Sequence, residues 1–342
     1  MLEKNDTNPM LQSVNRVPFA IGMRMAHACT GRVISSLAWA GLALFASVDL
    51  VWFIFSPMVF EPANFRLLGQ SILIYGGLYA VPQLVAFRLI GDNSPISKFI
   101  LRMSDKGARF LSAIVFILGF GFAGCTFTYL AASLGWPLQD AKLVAVDSSL
   151  GFNWLDLLIS TNSSPLFGAV LKAAYHSSAT QIVGVCLLLA AANRGQRLTE
   201  FLTLFVVTFV AVAAISALVP AAGPYAYFQP PKELFSSFSP DAGMWHYQVL
   251  QALRNEPVPV LSFMNVQGLV TFPSFHTSLA IITAYAVRGI KFVATPVAIL
   301  NGIVIISTLP EGGHYLIDVI AGAVISTIAI VAVRTRYLAY TS

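Results

Sequence analysis

The chain has 342 residues, of which 57% are hydrophobic and only 10% charged, with a net charge of +5. A soluble domain carries about 25% charged residues. At a mean hydropathy of +0.75 there is too little charge to cover a water-facing surface, and lipid is the expected solvent. No basic patch is interleaved with aromatic residues, so the excess of positive charge speaks for loop orientation and against a nucleic-acid partner.

Residues 1–32 are polar and basic without a signal-peptide pattern, and are expected to be a cytoplasmic segment. A helix needs about 20 apolar residues to cross the hydrocarbon core. Three such runs, 33–57, 68–90 and 110–133, make an N-terminal transmembrane portion over 33–135. Residues 136–175 follow as an external segment. Its amphipathic stretch from Leu150 to Tyr175, with Trp154, Leu158, Leu166, Phe167 and Leu171, is expected to lie in the interface plane. Five further runs, 176–193, 199–220, 272–288, 292–310 and 313–336, belong to a core over 176–342 with a Pro-, Gly- and Trp-containing external cap at 221–271. The expected fold is an all-α polytopic bundle of about eight transmembrane helices. Cys29, Cys125 and Cys186 have neither disulfide nor metal spacing and read as packing residues.

With the N-terminus inside, the inner segments and span ends hold fifteen of the twenty lysines and arginines. The outer five are Arg66, Lys142, Lys172, Lys232 and Arg254. The positive-inside rule therefore places both termini in the cytoplasm, in a membrane such as the bacterial inner membrane.

Two motifs stand out from the apolar background, and both begin spans at the outer face. In Gly312-Gly313-His314-Tyr315-Leu316-Ile317-Asp318, the histidine and aspartate are four residues apart, which on a helix puts them on one face. An aspartate in an apolar span is expensive unless paired. An imidazole donating Nδ1–H to it would keep Nε2 free as a nucleophile. In Phe272-Pro273-Ser274-Phe275-His276-Thr277, Pro273 fits the first turn of a helix whose free N–H groups would receive a phosphate. Ser274 could add a hydroxyl, and His276 could protonate a leaving oxygen. A single interfacial histidine is ordinarily a polar cap. A His-x-x-x-Asp pair can be a structural hydrogen bond or half of a metal site, although no third and fourth ligands are obvious. The two motifs on one side of the membrane favour chemistry.

On these residues the chain resembles the type 2 phosphatidic acid phosphatase superfamily over roughly 199–336. Pro273-Ser274-Phe275-His276 is similar to its Pro-Ser-Gly-His signature, and His314-x-x-x-Asp318 to the end of its third. The bulky Phe275, the His314-Tyr315 pair and Pro220-Ala221-Ala222-Gly223-Pro224-Tyr225 look like the branch containing inositol phosphorylceramide synthase. The resemblance implies that His314 attacks phosphorus to form a phosphohistidine, Asp318 orients it and His276 protonates the leaving group. It implies no metal or organic cofactor. The implied partners are a phospholipid or lipid-phosphate substrate and a lipid alcohol acceptor such as ceramide, or water in a simple phosphatase.

Two features depart from the family pattern. The first signature, Lys followed seven residues later by Arg-Pro, is absent, and Thr308 stands after Ser307 where an arginine is usual. Phosphoryl transfer still needs positive charge around the equatorial oxygens. Arg254 is the first candidate among Lys232, Lys172 and Lys142, and Ser274 and Tyr315 complete the expected substrate-binding set. His176 and His246 are on the outer side but less favoured. A non-enzymatic lipid transporter is the competing class. It would show internal repeats and paired broken helices, and none is visible.

Overall fold

Each apolar run becomes a helix in the computed structural model, which describes residues 36–264 and 266–339. The predicted segment 1–32 and Cys29 lie outside the described residues. In chain order the elements are α1 (Ser36–Ile54), β1 (Val59–Phe60), α2 (Ala63–Arg88), α3 (Pro95–Ser133), α4 (Asp140–Ser149), α5 (Trp154–Asn162), α6 (Pro165–Ala191), α7 (Gly195–Leu218) and α8 (Pro224–Phe228). After a 3₁₀ turn over Lys232–Phe235 come α9 (Tyr247–Asn255), β2 (Val260–Leu261), α10 (Phe275–Ala286), α11 (Ala294–Ser307) and α12 (Leu316–Ala339).

Serine–proline pairs decide two of the starts. Ser94 accepts from Ser97 N ahead of Pro95, and Ser164 accepts from Phe167 N ahead of Pro165. A serine N-cap with proline at the first helical position satisfies orphan N–H groups at no cost to the helix. Hence α3 begins at Pro95 rather than 110, extending through polar turns that hydropathy alone leaves out, and α6 begins at Pro165 rather than 176, taking in the end of the amphipathic stretch.

Five helices, α2, α3, α6, α7 and α12, are long and apolar enough to cross a membrane, and α4 with α5 forms an apolar pair bent by 79°. The predicted spans at α10 and α11 are helices of 12 and 14 residues. At 1.5 Å per residue α10 covers only about 18 Å, because its cap at Ser274 starts it late and the chain before it is extended. The chain is thus an integral membrane helix bundle.

The short α10 is the axis of the bundle, packed against α6, α7, α11 and α12, while α3 runs along α6 and α7 and carries α1 and α2. Phe116 and Phe120 of α3, Phe201 and Phe205 of α7, Leu279 and Ile282 of α10, and Val333 of α12 share one buried cluster. Lipid is as apolar as these side chains, so close packing and not water exclusion holds the helices together. Small residues permit the closest approach: a Cβ on Gly322 of α12 would lie 2.3 Å from Ser274 O. Cys125 and Cys186 are free and buried, as expected of packing residues.

The stretch from Leu150 to Tyr175 is divided between protein contact and exposure. Trp154, Leu158 and Leu171 are buried against Tyr225, Phe235 and Phe238 of the cap, while Leu150, Ile159, Leu166, Phe167 and Val170 are exposed. The cap folds over this amphipathic face, which therefore meets protein. Asn162 fixes the join, accepting from Ser237 N at 2.8 Å. A second tie is the two-residue parallel pairing of β1 with β2. Beside it, fully buried Asn64 donates to Leu261 O at 2.6 Å and accepts from Phe263 N at 2.7 Å.

Candidate active site

The loop from Leu309 to Tyr315 is held at four of its backbone groups. Trp154 Nε1 donates to Leu309 O at 3.1 Å, and the Tyr225 hydroxyl donates to Pro310 O at 2.6 Å. Gly243 N donates to Glu311 O at 2.9 Å, and His314 N to Thr308 O at 3.1 Å. Gly243 (φ +61) and Gly313 (φ +66) are back to back, so that a Cβ on Gly313 would meet Gly243 Cα at 2.6 Å. Both the left-handed φ and the contact demand glycine. Gly313→Ala is expected to cut activity at least tenfold and to lower the thermal midpoint in detergent, because the loop bearing His314 must shift; an active, equally stable variant would show that the loop is slack.

His314 precedes α12, which starts at Leu316, so the pair does not arise from two helical positions one turn apart. Asp318 occupies the third position of the helix and reaches back. Its Oδ2 accepts from Tyr315 N at 2.9 Å and meets His314 Nδ1 at 3.2 Å. An acid at this position that bonds the N-cap amide satisfies an orphan donor and complements the helix dipole. Here the same oxygen also fixes the imidazole. Both side chains are buried, Asp318 at 0% exposure, and its Oδ1 has no partner among the described residues.

His276 arrives from the first turn of α10. Ser274 caps that helix, its hydroxyl oxygen accepting from Thr277 N at 3.3 Å, and Ser274 N donates to Asp318 O at 2.9 Å. The two motifs are therefore joined by a backbone hydrogen bond. Pro273 lies before the cap and not within the first turn, which corrects the sequence expectation. The His276 and His314 ring centroids are 6.3 Å apart, and Tyr175 of α6 leans on His276 at 4.6 Å. Two imidazoles, one carrying a buried carboxylate, thus face each other at the mouths of adjacent helices.

The family model described as PAP2 superfamily matches residues 141–332, more than half of the chain, and includes both histidines and Asp318. This chain belongs to the PAP2 superfamily. Membership supports an enzyme of the lipid phosphatase or phosphotransferase kind acting on lipid phosphates in a membrane. The match is to the PAP2 superfamily as a whole and does not single out the inositol phosphorylceramide synthase branch. Comparison with curated proteins and with solved structures finds no match.

Other expected substrate-binding residues of this PAP2 chain are not gathered at the rings. Tyr315 is wholly buried and its hydroxyl donates to Asp140 Oδ1 at 2.9 Å. Ser274 is likewise buried, its oxygen engaged as a helix cap. Arg254 extends from α9 to Gly135 O at 3.5 Å, with its Nη1 lacking a hydrogen-bond partner among the described residues. Lys232 is exposed on the 3₁₀ turn, Lys142 is exposed on α4 and Lys172 is half-buried on α6. Ser307 and Thr308 turn their hydroxyls back onto Val304 O and Ile305 O, so this position in the third motif offers nothing to a ligand.

Several residues at the PAP2 site were passed over in the sequence. Asp140 accepts from Ala222 N at 3.0 Å and Gly223 N at 2.8 Å, clasping the Pro-rich stretch. Asp147 accepts from Leu316 N and Ile317 N at 2.9 and 2.8 Å, and so caps α12. Their seven-residue spacing, two turns along one helix face, was the available signal. His246 donates to Ala222 O at 3.1 Å; burial, with neighbouring His314 adding to it, holds its pKa down to about 4, so it is neutral at neutral pH. Glu311, at 0% exposure, pairs with His176 Nε2 at 2.9 Å. Histidines, rather than lysines or arginines, thus converge here.

Proposed function

We propose that the chain is an integral-membrane lipid phosphotransferase or phosphatase that works through a phosphohistidine on His314. The buried His314–Asp318 pair facing His276 carries this reading. With Nδ1–H donated to Asp318, the Nε2 lone pair attacks phosphorus, the P–O bond to the leaving alcohol breaks, and His276 gives that oxygen a proton. The acceptor hydroxyl then loses its proton to His276 as its oxygen attacks the phosphohistidine, and the P–N bond electrons return to His314. With a lipid alcohol such as ceramide as acceptor, the activity resembles that of inositol phosphorylceramide synthase, which the His314-Tyr315 pair and the Pro-rich stretch favour. With water it is hydrolysis. Purified protein given a lipid phosphate labelled at phosphorus is expected to acquire label that is stable to base and labile to acid. Turnover without a labelled enzyme would refute the covalent mechanism, and absence of turnover with any lipid phosphate would favour a transporter.

The site is proposed to face the periplasm or an organelle lumen. The basic end of the bundle, where Arg288 pairs with Glu200 at 2.8 Å, is at the opposite end of α10 from His276. In intact cells an impermeant thiol reagent applied from outside is expected to label Ser236→Cys and spare Gln196→Cys; the reverse labelling would invert the topology.

A further inference from the structure

Phosphoryl transfer needs a cation at the equatorial oxygens, and this chain lacks the basic residues its family usually places there. Among the described residues, no lysine or arginine forms an ion pair or hydrogen bond with His276 or His314. We propose that His176, held by the buried Glu311, is the cationic ligand that binds the phosphoryl group at this site; the proposal rests on the reading of the site as a phosphoryl-transfer centre.

The geometry resembles a second histidine–carboxylate pair beside the first. Glu311 is fully buried and accepts from three donors: His176 Nε2 at 2.9 Å, Ser239 N at 3.1 Å and the Ser239 hydroxyl. A carboxylate taken out of solvent is costly unless hydrogen bonds and an opposite charge compensate it. The His176 side chain is 51% exposed, and Nδ1 has no partner among the described residues. In a protonated imidazole both nitrogens donate, so Nε2 bonds Glu311 while Nδ1 remains for an anion. Trp245 stands edge-to-face against the ring at 5.7 Å and stacks on Tyr175 at 5.6 Å, which leans on His276. His176 and His276 are close enough to interact electrostatically. The ring is thus held beside His276 through a chain of ring contacts by way of Trp245 and Tyr175.

The groups facing His176 are Glu311 from the loop before α12, His276 from α10, Ser239 and Trp245 from the cap, and Tyr175 with Lys172, one turn away, on its own helix. Lys172 is the rival cation. Glu311 also explains why a histidine suffices: a buried counter-charge orients the ring as Asp318 orients His314, so that a single donor is preorganised and not solvated.

The test measures binding of inorganic phosphate to purified protein in detergent by thermal shift, together with KM and kcat on a lipid phosphate. Removing a charge-assisted hydrogen bond of this kind weakens binding about tenfold or more. His176→Gln and Glu311→Gln are each expected to weaken phosphate binding by that factor and to raise KM more than they lower kcat. His176→Lys should restore most of the loss, and Lys172→Gln should change little. Unchanged phosphate affinity in His176→Gln, a wild type that binds no phosphate, a lysine variant as impaired as glutamine, or a loss confined to Lys172→Gln would each overturn the proposal. Because phosphate binding is read without turnover, His176-dependent binding in a protein that turns over no lipid phosphate would refute the enzymatic reading alone.

Discussion

Replacing His314 by alanine is expected to abolish turnover, and replacing His276 by alanine is expected to leave an enzyme that still becomes phosphorylated. The two histidines are adjacent but differently held. His314 has its Nδ1 tied to Asp318, which leaves Nε2 to form a bond to phosphorus, and no other imidazole at the site carries a buried carboxylate on Nδ1. Deleting the nucleophile of a unit that acts together costs on the order of 10⁵-fold or more. His276 carries no such carboxylate, and a general acid contributes typically about 10²–10⁴-fold. Phosphoenzyme should therefore form in His276→Ala, slowly, and persist, since the same residue is needed to activate the acceptor. The loop around position 314 keeps its backbone clamps in both variants, so unfolding is not the expected cause of any loss, and a melting curve checks this. Wild-type turnover in His314→Ala would end the mechanism; a labelled His314→Ala protein would move the covalent step to another residue.

Asp318→Asn is expected to lower kcat by about 10³–10⁴-fold, as when an aspartate that orients a catalytic histidine becomes its amide, while leaving the fold in place. The two faces of the carboxylate decide why. Oδ2 receives both Tyr315 N–H and His314 Nδ1, whereas Oδ1 is buried without a partner. If the asparagine keeps its oxygen toward the histidine, its NH₂ takes the buried place of Oδ1, and the charge that would balance an imidazolium is gone. If it flips, the NH₂ faces Nδ1 and Tyr315 N–H, the imidazole must carry its proton on Nε2, and the attacking lone pair is lost. Either orientation disables His314. Near-normal kcat in Asp318→Asn would make the pair a helix-capping device only.

Both outcomes turn on residues that the sequence exposed by contrast: a histidine and an aspartate in apolar surroundings are conspicuous, and so is a Pro-Ser ahead of a histidine. The helices were legible for the same reason, since each apolar run had only one way to satisfy its backbone in lipid. The local geometry was less so. His314 and Asp318 meet because Asp318 caps a helix that begins after His314, a distinction that spacing alone does not make. Asp140 and Asp147 were passed over because each bonds backbone amides far along the chain, and nothing in the residues near them announces Ala222 or Leu316. Arg254 drew attention as a charge, yet its guanidinium extends toward Gly135. His176 was discounted as a lone imidazole because its partner, Glu311, is 135 residues away.

The clamps on the loop from Leu309 to Tyr315 also bear on how the protein is made. Its anchors, Trp154, Tyr225 and Gly243, belong to segments synthesised long before it, and Asp147 waits on α4 for the first turn of α12. A ribosome releasing the chain from its N-terminus therefore delivers the receptor first and the reactive loop last. His314, its partner Asp318 and the glutamate that holds His176 all follow these anchors in the chain, and their loop takes its shape from contacts with residues made earlier. The site proposed here is thus complete only once the first turn of α12 has met Asp147.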